Sequence, residues 1–502
     1  MDKKSLNQSG SSADTLQRSL GLRECVTIIV GTVIGVGLFT VGANCAGFMG
    51  KLIILASTAA LLISLWPALL YAEMGVAMPK AGGTYNYAKK GLNPFIANMA
   101  GWNYVIAIIS ACSGEALAFS NYTKWMFKAF HIELNIDSRI IACVLLILFI
   151  FINYRGIEIA GKWQNAFVFF FWSCSLVWFI MEFRHVNISN LIGISAYDFP
   201  GLKDFLYILG LVWWCFAGFE TVVGMGGEIK YPQINIPRSM KISPFIIFAV
   251  TAIFQWFLIG IVPSSAYGIL QTAEAPYAEG LVAAGIVGIP LLILCMAIAF
   301  GGDLSTINPG IGAPARYVYT MSLDGYIPSV FSRLHRKYKT PYVAIILVGS
   351  LNILLIATGS IIYIASVSLF SILFCYIIGF ISYIGLRIRH KEMERPYKAP
   401  GGIFGAVIST IIYVAMISQI GQEALLTGGL LCILSIIAFA ISLLYNKSNI
   451  SAIYKDDDEV VTIEIPTAEE KYEIDKQYRI YKIATIVIFI LALAIYIIPM
   501  IL

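Results

Sequence analysis

Four carboxyl groups interrupt otherwise apolar stretches of this 502-residue sequence: Glu73, Glu115, Glu220 and Asp303. An ionisable side chain is costly to hold inside a segment long enough to cross a bilayer, so each is a functional candidate by default. Glu115 lies deep in one such segment, in Ser113-Gly114-Glu115-Ala116, and Cys112, three residues earlier, shares its helix face. A carboxyl there can pair with a cationic group or carry an exchangeable proton; the bland alternative is a hydrogen bond to a neighbouring helix. Asp303, in Gly301-Gly302-Asp303-Leu304-Ser305-Thr306, stands ahead of a helix-breaking Asn308-Pro309-Gly310. With the hydroxyls of Ser305 and Thr306 it could supply oxygen ligands to an ion or a proton site, or merely cap a kink.

Backbone groups can do chemistry too. Gly31-Thr32-Val33-Ile34-Gly35-Val36-Gly37-Leu38-Phe39 places three glycines within seven residues, and each weakens a helix by roughly 1 kcal/mol relative to alanine. A second weak stretch is Trp214-Cys215-Phe216-Ala217-Gly218-Phe219-Glu220, followed by Gly224-Met225-Gly226-Gly227. Unwound backbone at membrane depth is tolerated only where it is buried or lines a cavity. Glycine-interrupted helices in matching places of two halves point to a solute site at the midplane. Free N–H groups there suit a carboxylate and free carbonyls an ammonium, so one such site can hold both ends of a zwitterion. The alternative is close packing, since Gly31-xxx-Gly35 also fits a helix-contact motif.

The elements that must position these groups are apolar helices. Of all residues 59% are apolar and only 13% charged, against about 25% charged in soluble domains. A crossing helix needs about 20 apolar residues, and thirteen candidate spans are expected at 24–47, 50–78, 95–128, 138–154, 158–183, 203–229, 242–264, 283–315, 342–358, 361–386, 404–420, 424–445 and 483–501. Thr358-Gly359-Ser360 divides two of them as a turn. The expected organisation is a tail at 1–23, six spans in 24–230, four in 231–386, two in 387–445, a linker at 446–482 carrying the acidic run Asp456-Asp457-Asp458-Glu459, and a last span in 483–502. Twenty-eight of the 34 lysines and arginines fall on one set of alternate loops, and only Lys51, Lys124, Lys128, Arg139, Arg184 and Lys203 on the other. That bias predicts a cytoplasmic N-terminus, an extracytoplasmic C-terminus and a multi-pass protein of the cell membrane. No cleavable signal peptide is expected.

Other chemistries find little support. The nine cysteines lie in or beside apolar runs and form no CxxC pair, which speaks against a disulfide framework or a zinc site. All four histidines fall in predicted loops, and there is no GxSxG. Neither an enzyme, a bound metal or cofactor, a nucleic-acid partner nor a protein partner is expected.

Several separate motifs resemble the amino acid–polyamine–organocation family of permeases. They are Gly31 to Phe39; Tyr71-Ala72-Glu73-Met74 with Pro79-Lys80-Ala81-Gly82-Gly83-Thr84-Tyr85; Phe216, Gly218, Phe219 and Glu220; Glu228-Ile229-Lys230-Tyr231-Pro232 with Asn235-Ile236-Pro237-Arg238; and Ala315-Arg316-Tyr317-Val318-Tyr319 with Asp324-Gly325-Tyr326-Ile327-Pro328. The resemblance covers about residues 15–445. It implies an all-α polytopic fold of two inverted five-helix repeats, LeuT-like, with helices 1 and 6 unwound at the centre and alternating access between two helix layers.

It also implies roles. The segment Ile34, Gly35, Val36 and Gly37 would meet a substrate carboxylate through backbone N–H groups, and carbonyls near Phe216, Ala217 and Gly218 would meet an amino group. Trp214 stands where an aromatic residue gates arginine/agmatine exchangers, and Cys112 and Glu115 align with pocket positions of those members. Glu73 and Glu220 are expected to be structural or gating. In related folds the eighth helix faces the first and holds a sodium or its substitute, which adds Asp303, Ser305 and Thr306 as coupling candidates. One departure stands out: the helix-5 lysine of some proton-driven members has no counterpart, the matching position being about Phe171. The expectation is therefore a secondary permease of amino acids, proton-coupled or exchanging, with sodium also possible. An amino acid/amine antiporter or an ethanolamine- or polyamine-type permease is the alternative, and a nutrient sensor on a transporter fold is a distant one.

Overall fold

The computed structural model describes residues 16–192, 201–445 and 465–501; most of the N-terminal tail and of the 446–482 segment, with its acidic run, lies outside them. Helices in chain order are α1 (Leu22–Val33), α2 (Ala43–Met49), α3 (Ile53–Ala77), α4 (Gly83–Gly91), α5 (Pro94–Lys128), α6 (Ser138–Tyr154), α7 (Ile157–Glu182), α8 (Leu202–Trp214), α9 (Glu220–Gly224), α10 (Pro232–Ile261), α11 (Tyr267–Thr272), α12 (Pro276–Ala283), α13 (Ile289–Met296), α14 (Leu304–Leu323), α15 (Tyr342–Ile356), α16 (Ile361–Arg389), α17 (Gly402–Ser418), α18 (Gln422–Tyr445) and α19 (Ala468–Ile501). Among the described residues there is no strand, only the isolated pairings Leu20–Ile229 and Ala81–Met225. Among the described residues eight helical segments are long and apolar enough to cross a membrane, and three shorter apolar helices, α6, α15 and α17, accompany them.

Local chemistry sets the boundaries. Asn93 caps α5 by accepting from the Ile96 N–H at 2.9 Å, with Pro94 in the first turn. The expected turn at Thr358-Gly359-Ser360 is present: Gly359 adopts φ +72° and Ser360 caps α16. Helices α5 and α16 pack together at the centre, with α14 on α5 and α3 on α10. The outermost helices turn large apolar side chains outward, such as Phe169 and Ile180 on α7 and Leu444 on α18, each at least 70% exposed. Such surfaces are stable in lipid, where apolar exposure carries no penalty.

The two expected breaks are real. α1 stops at Val33, and the chain resumes as a π-helical turn at Gly37–Gly42 that runs into α2. α8 stops at Trp214, and α9 begins only at Glu220.

Three boundaries differ from the sequence expectation. Asn308-Pro309-Gly310 does not break its helix: α14 runs through Pro309 and Pro314, and the irregular turn lies earlier, a π-helical stretch at Ala297–Asp303. Tertiary bonds to the freed carbonyl make this possible, as described below. α10 begins at Pro232, inside what the charges suggested was a loop. α19 begins at Ala468, so residues 468–482 of the expected linker are helical. The signal was in the sequence: Thr467 and Glu470 form a reciprocal cap, the Thr467 N–H donating to Glu470 at 2.9 Å and the Glu470 N–H to the Thr467 hydroxyl at 3.3 Å.

Candidate binding site at the two helix breaks

The breaks lie side by side. Gly218 has φ +129°, and a Cβ on it would stand 2.9 Å from Thr32 Cγ2, so only glycine lets this turn approach α1. The Cys215 thiol donates to the Gly37 carbonyl at 2.8 Å. Between the breaks is a cavity of about 40 Å³ lined by Thr32, Val33 and Gly37 from the first break, Trp214, Ala217, Gly218 and Glu220 from the second, Ile108, Ala111, Cys112 and Glu115 from α5, Thr306 and Gly310 from α14, and Ser368 and Ile372 from α16. A water needs at least about 10–15 Å³ of such space, so the cavity is nearly collapsed in this conformation.

Glu115 is central and 3% exposed. Its Oε2 accepts from the Val36 backbone N–H at 2.7 Å. The carboxyl lies directly over Gly35, where an added Cβ would be 2.2 Å from Oε2. The N–H assigned to a substrate carboxylate is thus held by a carboxyl of the protein itself. Asp303 is fully buried with no N–H or hydroxyl donor on either oxygen, and the neighbouring Glu115 carboxyl acts on it. Glu220 Oε2 accepts from the Gly218 N–H at 3.2 Å and from the Tyr376 hydroxyl, while its Oε1 has no partner. Trp214 donates its indole N–H to Ser368 Oγ at 3.1 Å.

Of the other assigned residues, Asp303, Ser305 and Glu73 stand outside the cavity lining. The Gly31 carbonyl, released where α1 ends, accepts from the hydroxyls of Ser305 at 3.2 Å and Thr306 at 2.7 Å. Phe216 is buried without lining the cavity, as are Ile34, Gly35 and Val36. Glu73 ties three elements together, accepting from the Tyr383 hydroxyl, the Arg387 guanidinium and the Ala399 N–H at 2.7–2.8 Å.

Sequence reasoning missed Gln164 on α7. Its amide Nε2 donates to the carbonyls of Thr27 at 3.0 Å and Ser305 at 2.8 Å, and its Oε1 accepts from Asn308 at 3.0 Å. This joins α1, α7 and α14. Phe171, at the position where some proton-driven members of the family carry a lysine, lays its backbone against Gly301, where an added Cβ would be 2.6 Å away. A polar residue in an apolar run was the available signal. Ile108 and Ala111 were equally within reach, one helical turn before Cys112 and Glu115.

The two ends of the bundle differ. On the face holding residues 16–21, Glu228 and Arg316 form a buried bidentate ion pair at 2.7 and 2.8 Å. Leu20 pairs with Ile229 there, and Arg18 donates to the carbonyls of Pro79, Gly226 and Ile229. The distal face holds an open pocket of about 470 Å³ reaching down to Thr40 and Leu117, next to the central cavity, with Asp137, Arg139 and Glu274 on its walls. Burial raises the carboxyl of Glu279, in the adjoining pocket, above its ordinary range.

Residues 20–441 match the family model described as amino acid permease. An uncharacterized transporter of Mycobacterium tuberculosis is 26% identical over 425 residues, covering 83% of this chain and 90% of its own. A branched-chain amino acid permease of Bacillus subtilis is 22% identical over 414 residues, 78% of this chain and 85% of its own. An aspartate-proton symporter of the same organism is 25% identical over 410 residues, 78% and 77% of the two chains.

Proposed function

We propose, from the premise that the chain belongs to the amino acid permease family, that it is a secondary active transporter of amino acids or related small amines, driven by a proton or by exchange. The observation that carries this is the carboxyl-lined cavity enclosed by the two helix breaks. The face bearing residues 16–21 would be cytoplasmic in the cell membrane, in keeping with the bias of basic residues, and the distal pocket would then open outward. Transport would require the Glu228–Arg316 pair and the Leu20–Ile229 pairing to part while the distal pocket closes. The breaks supply the flexible points for that motion, and two inverted repeats within thirteen crossings would account for their placement.

The Glu115–Asp303 pair is the proposed coupling element. Two carboxyls in one buried space cannot both remain ionised, so one proton is held between them and can exchange as the site opens. The proton symporter among the relatives supports this reading. Glu73 would be structural, and Glu220 would fix the second break.

The test is uptake of labelled amino acids and amines into proteoliposomes under an inward proton gradient without sodium. Accumulation that a protonophore abolishes is expected for symport. Uptake only into vesicles preloaded with unlabelled solute would identify an exchanger, and no flux of any such solute under either condition would defeat the proposal.

A further inference from the structure

The N–H that a permease of zwitterions offers to its cargo is here already bonded, and the cavity around it holds acidic side chains and no basic ones. Val36 donates to Glu115 at 2.7 Å. Across the cavity Glu220, 1% exposed, leaves Oε1 without a partner. No lysine, arginine or histidine is among the described residues that line the cavity. Arg316, the nearest candidate by helix, is consumed by Glu228.

We infer that the physiological cargo of this site is an alkylammonium ion without a carboxylate, and that Glu115 permanently fills the seat an amino acid's carboxylate would take. This rests on the permease reading above and narrows its cargo. An α-carboxylate entering the cavity would have to displace Glu115 from Val36 and would add a further acidic group to a buried space already lined by two, Glu115 and Glu220. Like charges in such a medium are mutually destabilising. An ammonium entering the same space meets the free Glu220 oxygen and the remaining acceptor capacity of Glu115, and charge-assisted bonds are the stronger kind. Trp214 adds a π surface that attracts cations. Val33, Ile108, Ala111 and Ile372 give the methylene stem apolar walls. The unpaired carboxylate oxygen thus acts as the attractive element and the occupied N–H as the one that rejects zwitterions.

Matched pairs differing only in the α-carboxylate isolate the point: cadaverine against lysine, agmatine against arginine, isoamylamine against leucine. Binding to the purified full-length protein and exchange in proteoliposomes are measured for each pair. The amine is expected to bind at least about tenfold more tightly than its amino acid, as loss of a buried charge pairing implies. Glu115→Gln should weaken amine binding by at least about tenfold without improving the amino acid. Glu115→Ala, which bares the Val36 N–H, should move the preference toward the amino acid. Both variants are first checked for a monodisperse profile in detergent. Should either misfold, Glu220→Gln serves as a second probe, expected to weaken amines alone.

Amino acids binding as tightly as their amines would mean that Glu115 yields its place to the carboxylate, and would overturn the inference while leaving the permease reading intact. If neither member of any pair is bound or carried, the permease reading fails and the inference with it.

Discussion

Gln164 answers a defect that Pro309 creates at Ser305. Proline has no N–H, so the Ser305 carbonyl four residues back loses its helical partner, and the Gln164 side-chain amide donates to it at 2.8 Å from another helix. The same amide reaches the Thr27 carbonyl, while the neighbouring Gly31 carbonyl is taken by the hydroxyls of Ser305 and Thr306. The oxygens facing one another between α1 and α14 thus already have neutral donors.

On this ground we expect the junction to take no metal cation. Uptake is expected to be the same in sodium as in choline medium, and sodium-dependent flux would contradict the assignment. Gln164→Leu should lower thermal stability by about 1–3 kcal/mol, because buried carbonyls lose their donor. Thermal unfolding in detergent measures it.

Arg316 and Glu228 form the buried pair of the closed face. Removing one partner strands the other, at about 3–5 kcal/mol. Arg316→Ala should therefore unfold at a markedly lower temperature than wild type, whereas the double replacement Arg316→Met with Glu228→Gln should recover much of the loss. Equal loss in single and double variants would show that the pairing itself is not what matters.

Gly218 combines a left-handed φ of +129° with a close approach to Thr32. Gly218→Ala should abolish transport while the protein still folds, at a cost of about 1–3 kcal/mol for the strained backbone. Thr32→Ser removes the Cγ2 that would clash. If that second change restored transport, crowding rather than backbone conformation would be the cause.

α19 supplies no residue to the cavity lining. It is held along α10 by Phe489 against Phe245 and Phe248, by Tyr496 donating to Gln255 at 2.8 Å, and by Arg238–Asp475 at 2.5 Å. Asp475→Asn should change stability by no more than about 1 kcal/mol, since the pair is partly exposed. Phe489→Ala should cost more, through lost aromatic packing. Neither should alter the affinity for cargo in a binding assay.

The cavity shows where sequence reasoning succeeds and where it stops. Gly37, Glu115, Gly218, Glu220 and Thr306, singled out by residue type and spacing, and Cys112, Trp214 and Ala217, implied by the family resemblance, all line it, whereas Ile34, Gly35, Val36 and Phe216 do not. Ser368 and Ile372 of α16 could not be found that way. They carry no motif, and their place depends on how α16 crosses α5. Thr467 and Glu470 are a different case, a local capping signature that was present and passed over.

By itself the sequence determined the all-helical character, the two weak points at Gly31–Gly37 and around Gly218, and the list of costly buried carboxyls. Each follows from local physics: apolar run length, the helix cost of glycine and the price of burying charge. Only the tertiary structure decided which donors those carboxyls meet. That Glu115 holds the Val36 N–H, that Gln164 repairs the carbonyl freed by Pro309, and that α14 therefore runs unbroken are bonds between groups from 79 to 141 residues apart. No local propensity encodes them, because they exist only once the packing of several helices has brought the partners together.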